Sequence, residues 1–243
     1  MDRPLLFEVR AAPPFMTNGF VLACQDTREG VIIDPGDCVD ELLEIVRARQ
    51  LEITYILLSH AHLDHVTGVG RAKAATGAPV VLHRADLLLY DTVVQQGMMF
   101  GLRVERQPPV DAFYDMTGPG ERESRAAAGS DANAHAGAST STSLFRFGRF
   151  QIGVYHTPGH CPGGVCLKVD PPAAHEPGGT LIVGDTLFAG SIGRTDLPGG
   201  DFPTLIRSIR EVLFPFGDAA VVHPGHGDST TIGDERRANP FLI

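Results

Sequence analysis

What the 243-residue chain lacks narrows the field first. Basic residues are in the minority: 20 Lys and Arg against 29 Asp and Glu give a net charge of −9. A nucleic-acid-binding face needs clustered cationic side chains, so nucleases and other nucleic-acid binders are disfavoured. Cysteine is scarce. Cys24, Cys38, Cys161 and Cys166 form no CxxC pair and suggest no disulfide framework. Free thiols in a reducing cytoplasm are the expectation. No apolar run approaches about 18 residues, and no charged stretch leads into an apolar one at the N-terminus. Neither a membrane span nor a secretory signal is therefore expected. One long stretch lacks core-forming residues altogether. Positions 117–143 contain no Val, Ile, Leu, Met, Phe, Tyr or Trp. Such a segment buries too little apolar area to offset its ordering entropy, and it reads as a disordered surface insertion. Candidate site residues lie on both sides of it, so residues 1–243 read as a single domain.

What is present points to metal chemistry. Ser59-His60-Ala61-His62-Leu63-Asp64-His65 puts three histidines and an aspartate within six positions. The apolar run Leu51–Leu58 before it reads as a buried strand, which places the cluster on a loop past the strand's carboxyl end, where α/β sheets carry their chemistry. Neutral imidazole is a good ligand for zinc and iron. Three more candidates follow, each in a Gly- or Pro-rich turn after an apolar run: His160 in Thr157-Pro158-Gly159-His160, Asp185 in Val183-Gly184-Asp185-Thr186, and His226 in Pro224-Gly225-His226-Gly227. Five histidines and two aspartates exceed the needs of one tetrahedral ion. They suit two ions about 3.5–4 Å apart that share a bridging carboxylate.

The remaining segments read as β-rich with interspersed helices. Strands are expected at 5–10, 18–25, 30–33, 79–83, 144–147, 150–156, 165–169, 180–183 and 219–222, and helices at 39–50, 69–76, 85–96 and 201–214. Leu88, Leu89 and Val93 would face inward from the third helix, and Leu205, Ile209, Val212 and Leu213 from the fourth.

HxHxDH followed in order by PGH, GD and GHG turns is similar to the metallo-β-lactamase superfamily of metallohydrolases. The stretches Gly190–Asp201 and Thr231–Phe241 resemble its short, bacterial glyoxalase II-like thioesterases. The resemblance implies an α/β fold, an αββα sandwich of two mixed β-sheets face to face with helices outside. It implies that His60, His62 and His160 hold one divalent ion, that Asp64, His65 and His226 hold a second, and that Asp185 bridges them. Zinc is the first expectation, with iron or manganese as alternatives. The implied reaction is hydrolysis of a small-molecule 2-hydroxyacyl thioester such as S-lactoylglutathione. A hydroxide bridging the ions would attack the carbonyl, and Asp64 and Asp185 would be the catalytic carboxylates.

Two further residues are candidates. Asp34 would either orient a ligand histidine or cap its own turn. Arg194 would either meet a substrate carboxylate or pair with Asp196 or Asp201. His83, His156 and His223 read as structural, Cys161 as a buried turn residue, and Met98-Met99-Phe100 as core or groove lining.

Alternatives sit beside this reading. Persulfide dioxygenases of the same superfamily are expected to use one iron on His60, His160 and Asp185. A metal-stabilised binding protein without catalysis is the non-enzyme alternative. β-Lactamase activity is disfavoured by the cytoplasmic composition and by Asp185. Longer glyoxalase II enzymes add a helical C-terminal domain for glutathione, whereas Ile243 follows His226 by 17 positions (243 − 226). Glutathione recognition and oligomeric state are left open by the sequence.

Overall fold

The computed structural model describes residues 4–114 and 143–243. The proposed insertion, apart from Ser143, lies outside the described residues. Strands β1 (Leu5–Ala12), β2 (Thr17–Cys24), β3 (Glu29–Ile33), β4 (Glu52–Leu57), β5 (Val80–Leu82) and β6 (Ala112–Phe113) form one sheet in that order. Its first three strands are antiparallel, and β3 to β6 run parallel. The second sheet joins β7 (Ser143–Phe147), β8 (Phe150–His156), β9 (Val165–Asp170), β10 (Thr180–Gly184), β13 (Val221–Pro224) and β14 (Thr230–Thr231) in the order β14-β13-β10-β9-β8-β7. A small hairpin, β11 (Leu187–Phe188) and β12 (Ser191–Ile192), stands apart.

Period-2 alternation explains the layering. In β3, Val31 and Ile33 point between the sheets, where they meet Ile152, Val154, Leu167 and Ile182 of the second sheet. Ile32, between them, points outward into a cluster with Val39, Leu42 and Val46 of helix α1 (Val39–Arg49). On the far side, Leu181 and Val183 pack against Leu205, Ile209 and Leu213. The result is the αββα sandwich, with both faces of each sheet covered. This is why the central strands read as continuous apolar runs rather than as amphipathic ones.

Helix boundaries follow local chemistry. Helix α2 (Leu63–Val66) is a single turn that carries two of the candidate ligands, Asp64 and His65. Gly77, at φ 71°, closes helix α3 (Val69–Thr76) in the left-handed region. The helix expected at 85–96 is broken. A 3₁₀ turn at Arg84–Asp86 leads into α4 (Leu87–Asp91) and then α5 (Val93–Met99). At the break, the Thr92 hydroxyl donates back to the Leu88 carbonyl at 2.7 Å. The interruption turns Leu88 outward, 75% exposed, and leaves Leu89 half-buried, whereas Val93 is fully buried. Met98, Met99 and Phe100 are exposed rather than core.

Asp201 caps α6 (Phe202–Ser208) by accepting from the Thr204 amide at 3.0 Å. The helix continues through a wider π-type turn at Ile209–Leu213. That widening takes Val212 off the inward stripe, half-buried, while Leu205, Ile209 and Leu213 stay fully buried. Helix α7 (Ile232–Ala238) was not expected. Its signal is Thr231 followed by Asp234, whose amide donates to the threonine hydroxyl at 3.1 Å. No helix among the described residues is long and apolar enough to cross a membrane.

Candidate metal centre

The topology brings the motif turns to one rim. β4 ends at Leu57 just before the His60 loop, and its parallel neighbour β3 ends just before Asp34. β10 runs into Asp185, and its parallel neighbour β13 runs into His226. The turn after β8 supplies His160. Two sheets packed face to face therefore deliver candidate ligands from separated stretches of chain to the same edge.

There the side chains converge in three overlapping groups, each with its ligand atoms within 4.8 Å of one another: His60 with His62 and His160; His60 with His65 and Asp185; Asp64 with His65 and His226. His62 Nδ1 and His160 Nε2 are 2.7 Å apart and aim at the same point. Asp185 reaches both ends of the cluster. Its Oδ1 is 3.4 Å from His65 Nε2, and its Oδ2 is 3.6 Å from His160 Nε2 and 3.5 Å from His226 Nε2. Asp64 Oδ2 lies 3.1 Å from His226 Nε2 and accepts from the Thr17 hydroxyl at 2.7 Å.

A second ring of contacts fixes the histidines. Four of the five commit Nδ1 to a protein partner: His60 to Ser59 Oγ at 3.1 Å, His65 to Asp34 Oδ2 at 3.0 Å, His160 to the Arg194 carbonyl at 2.7 Å, and His226 to the Phe15 carbonyl at 3.2 Å. An imidazole that donates from Nδ1 presents a lone pair at Nε2, which is how metal-binding histidines are oriented. Here part of that inner set is unsatisfied. His60 Nε2, His65 Nε2 and Asp185 Oδ1 are buried without a hydrogen-bond partner. Buried polar atoms are almost always paired. Three orphans meeting at one point fit a cation as the missing partner.

The electrostatics agree. Burial drives His62 down to about 4 and His60 well below its usual value. Burial also opposes ionisation of Asp64, but His65 and His226 outweigh it and hold its pKa at about 2. Against the pull of burial, the Asp185 and Asp64 carboxylates raise His226 to about 9. Two ionised carboxylates in a dry pocket demand positive charge, which His65 and His226 carry here and which divalent ions would supply in place of their protons.

Asp34 is fully buried and serves Ser59 as well as His65. The Arg194 guanidinium instead forms a two-pronged ion pair with Asp196, at 2.8 and 2.7 Å. It is the backbone of Arg194 that supports the site. Arg194→Ala is therefore expected to leave metal stoichiometry unchanged, as read by elemental analysis of the purified protein.

Four further supports were not found by sequence reasoning. Thr17 and the Phe15 carbonyl brace Asp64 and His226. Gln96 accepts from the Leu63 amide at 3.0 Å and donates to the Ala61 carbonyl at 3.2 Å. Asp86, fully buried, accepts from the Ala61 and Gly163 amides and from the Cys161 thiol, clamping the His60–His62 loop to the His160 turn. Burial and the adjacent Asp86 push the Cys161 thiol well up, so it packs as a neutral group. Gly225 is required by space. A Cβ there would meet Asp185 Oδ1 at 2.3 Å and His65 Cε1 at 2.6 Å. His156 and His83 stack on each other at 4.2 Å. His223 is tied to Glu176 at 2.9 Å and Ser229 at 2.8 Å.

Comparison with known proteins gives the same picture. The family model of the metallo-β-lactamase superfamily matches residues 12–226. Hydroxyacylglutathione hydrolase GloC of Haemophilus influenzae is 34% identical over 223 residues, 91% of each chain. Among solved structures, the BLEG-1 B3 metallo-β-lactamase superposes with a TM-score of 0.77 at 32% identity, covering 98% of this chain and 100% of that one. TTHA1623, solved in a di-iron-bound form, superposes with a TM-score of 0.73 at 33% identity, covering 97% and 100%. With its four-layer sandwich and its buried His/Asp cluster at the sheet rim, the chain belongs to the metallo-β-lactamase superfamily.

Proposed function

We propose that the protein is a metal-dependent thioester hydrolase of the glyoxalase II kind, cleaving a 2-hydroxyacyl thioester such as S-lactoylglutathione. His60, His62 and His160 would hold one divalent ion, Asp64, His65 and His226 a second, and Asp185 would reach both. The observation that carries this reading is the trio of orphaned buried atoms, His60 Nε2, His65 Nε2 and Asp185 Oδ1, inside a shell that has already fixed the rings. When bound, the ions supply a hydroxide nucleophile near neutral pH and an electrophile for the carbonyl oxygen.

The chain's own residues do the rest. Asp34, Ser59, Phe15 and Arg194, the last two through their carbonyls, hold Nδ1 of four histidines so that Nε2 faces inward. Thr17 keeps one Asp64 oxygen oriented. The buried walls exclude bulk water and so strengthen each charge interaction at the reacting centre.

The thioesterase assignment draws on the 34% identity to the Haemophilus influenzae hydrolase. A single iron on His60, His160 and Asp185, the dioxygenase alternative, would leave Asp64, His65 and His226 converged for no purpose. Their convergence favours two ions. The di-iron form of the TTHA1623 structure keeps iron in view beside zinc. Four buried cysteines, all free, support a reducing cytoplasmic setting.

The test is turnover by protein reconstituted separately with zinc and with ferrous iron. Loss of S-lactoylglutathione without oxygen uptake on glutathione persulfide is the expected result. Oxygen uptake with iron alone, or turnover of a cephalosporin in place of the thioester, would overturn the assignment.

A further inference from the structure

A cavity lies beside the turn that carries Asp64 and His65. It has a volume of about 650 Å³, within the range of small-molecule sites. Its apolar wall comes from Phe15, Leu63, Leu102 and Val104, and three arginines, Arg71, Arg103 and Arg106, line it as well. Leu63 and Thr67 sit one helical turn apart and face this cavity, while Asp64 and His65 between them join the metal cluster.

The charges in the cavity are unevenly committed. Arg71 is occupied by Asp40, at 2.6 Å. Among the described residues, Arg103 and Arg106 form no ion pair or hydrogen bond, although the chain as a whole carries a net charge of −9. Two carboxylates also line the space. Asp37 is engaged by the Thr67 hydroxyl at 2.9 Å, and Glu105 is exposed.

The segment that carries both arginines is pinned. Buried Gln107 accepts from the Gly70 amide at 2.8 Å and donates to the Thr67 carbonyl at 3.3 Å. Tyr90 donates to the Pro108 carbonyl at 2.8 Å. The cavity is therefore largely pre-formed, which lowers the ordering cost of binding.

We propose that this cavity is a second ligand site, for a small anion on a short apolar body, with Arg103 and Arg106 gripping the anion and Phe15, Leu63 and Val104 covering the body. Guanidinium forks match both carboxylate and phosphate, and the apolar wall selects against the bare inorganic ions. The site is independent of the metal chemistry, but it shares α2 and Phe15 with the metal centre. An occupant would therefore rest on the elements that position Asp64, His65 and His226.

The test is titration of the full-length protein with hexanoate, hexyl phosphate and the neutral analogue hexanol, followed by NMR shifts of the Leu63 to Val104 region. Saturable binding of an anionic probe at one site, with hexanol binding at least tenfold more weakly, is expected; the two anions' relative affinity tells carboxylate from phosphate. In the double variant Arg103→Gln/Arg106→Gln, binding of that anion should fall about tenfold or more, since each charge-assisted contact is worth at least that. Glu105→Gln should tighten it, and Arg207→Gln, on α6 in the opposite layer, should leave it unchanged. Hexanol binding as well as the anions, indifference to the double variant, or no saturable shift from either anion would overturn the proposal.

Discussion

Asp185→Asn is expected to cost about 10³-fold or more in kcat/KM and at least one metal ion per chain. The carboxylate stands where the two halves of the cluster meet, 3.4 Å from His65, 3.5 Å from His226 and 3.6 Å from His160. Burial works against its ionisation, yet the charge on His65 and the close approach of His226 outweigh burial and hold its pKa well below the usual carboxylate range. To bridge the two proposed ions, a ligand would have to be anionic, because its charge would offset their mutual repulsion. Asparagine keeps the shape and removes the charge, and it turns an NH₂ group toward the cluster where Oδ1 is now a bare acceptor. Metal-ion stabilisation of the reacting carbonyl is worth several kcal/mol, which converts to roughly three powers of ten or more in rate. Elemental analysis and thioester turnover, with circular dichroism to verify the fold, measure the two effects together. A variant that retained both ions and full turnover would remove Asp185 from the bridge.

The part of this site that could be read from the sequence is the part written in contiguous chemistry. His60, His62, Asp64 and His65 stand within six positions, and His160, Asp185 and His226 each follow a strand that betrays itself as an apolar run. The supports are of a different kind. The carbonyls of Phe15 and Arg194 hold His226 and His160, and a carbonyl has no residue type to recognise. Asp86 looks like a surface residue at a helix start until the His160 turn folds over it. Arg194 had two readings, and the ion pair is the one the structure shows. Asp196, two residues on, captures the guanidinium, as one of those readings has it, while the positioning of His160 falls to the main chain, which neither reading contained. The fold divides in the same way. Strands buried on both faces are plain from composition, as in β2 and β3, whereas the break at Thr92 depends on a hydroxyl donating back into its own helix, and it reversed the expected facing of Leu88.

Asp34 is where two sequence readings compete, and the structure supplies the experiment that separates them. Its backbone, at φ 46°, occupies the left-handed region that aspartate and asparagine tolerate best among side-chain-bearing residues. That conformation is what a turn-forming aspartate before Pro35-Gly36 would show. Its carboxylate, however, is fully buried and accepts from the Ser59 amide at 2.7 Å, from the Ser59 hydroxyl, and from His65 Nδ1 at 3.0 Å. Ser59 Oγ in turn lies 3.1 Å from His60 Nδ1. One carboxylate thus orients a candidate ligand ring in each half of the cluster, His65 directly and His60 through Ser59. Asp34→Asn keeps the backbone preference and one acceptor oxygen, which can still serve the Ser59 amide, but not the charge. It is expected to weaken metal affinity about 10- to 100-fold, the usual effect of removing the partner that orients a ligand histidine. Its loss of stability should be smaller than that of Asp34→Ala, which strands the Ser59 amide and hydroxyl in a dry interior and is expected to cost about 3 kcal/mol or more. Competition with a chelator reads the first effect, and denaturant unfolding of the metal-free protein reads the second. If Asp34→Asn bound metal as tightly as the parent while Asp34→Ala merely unfolded more readily, the residue would be a turn cap alone. A drop in affinity in the asparagine variant, at near-parental stability, would place Asp34 among the groups that build the metal site.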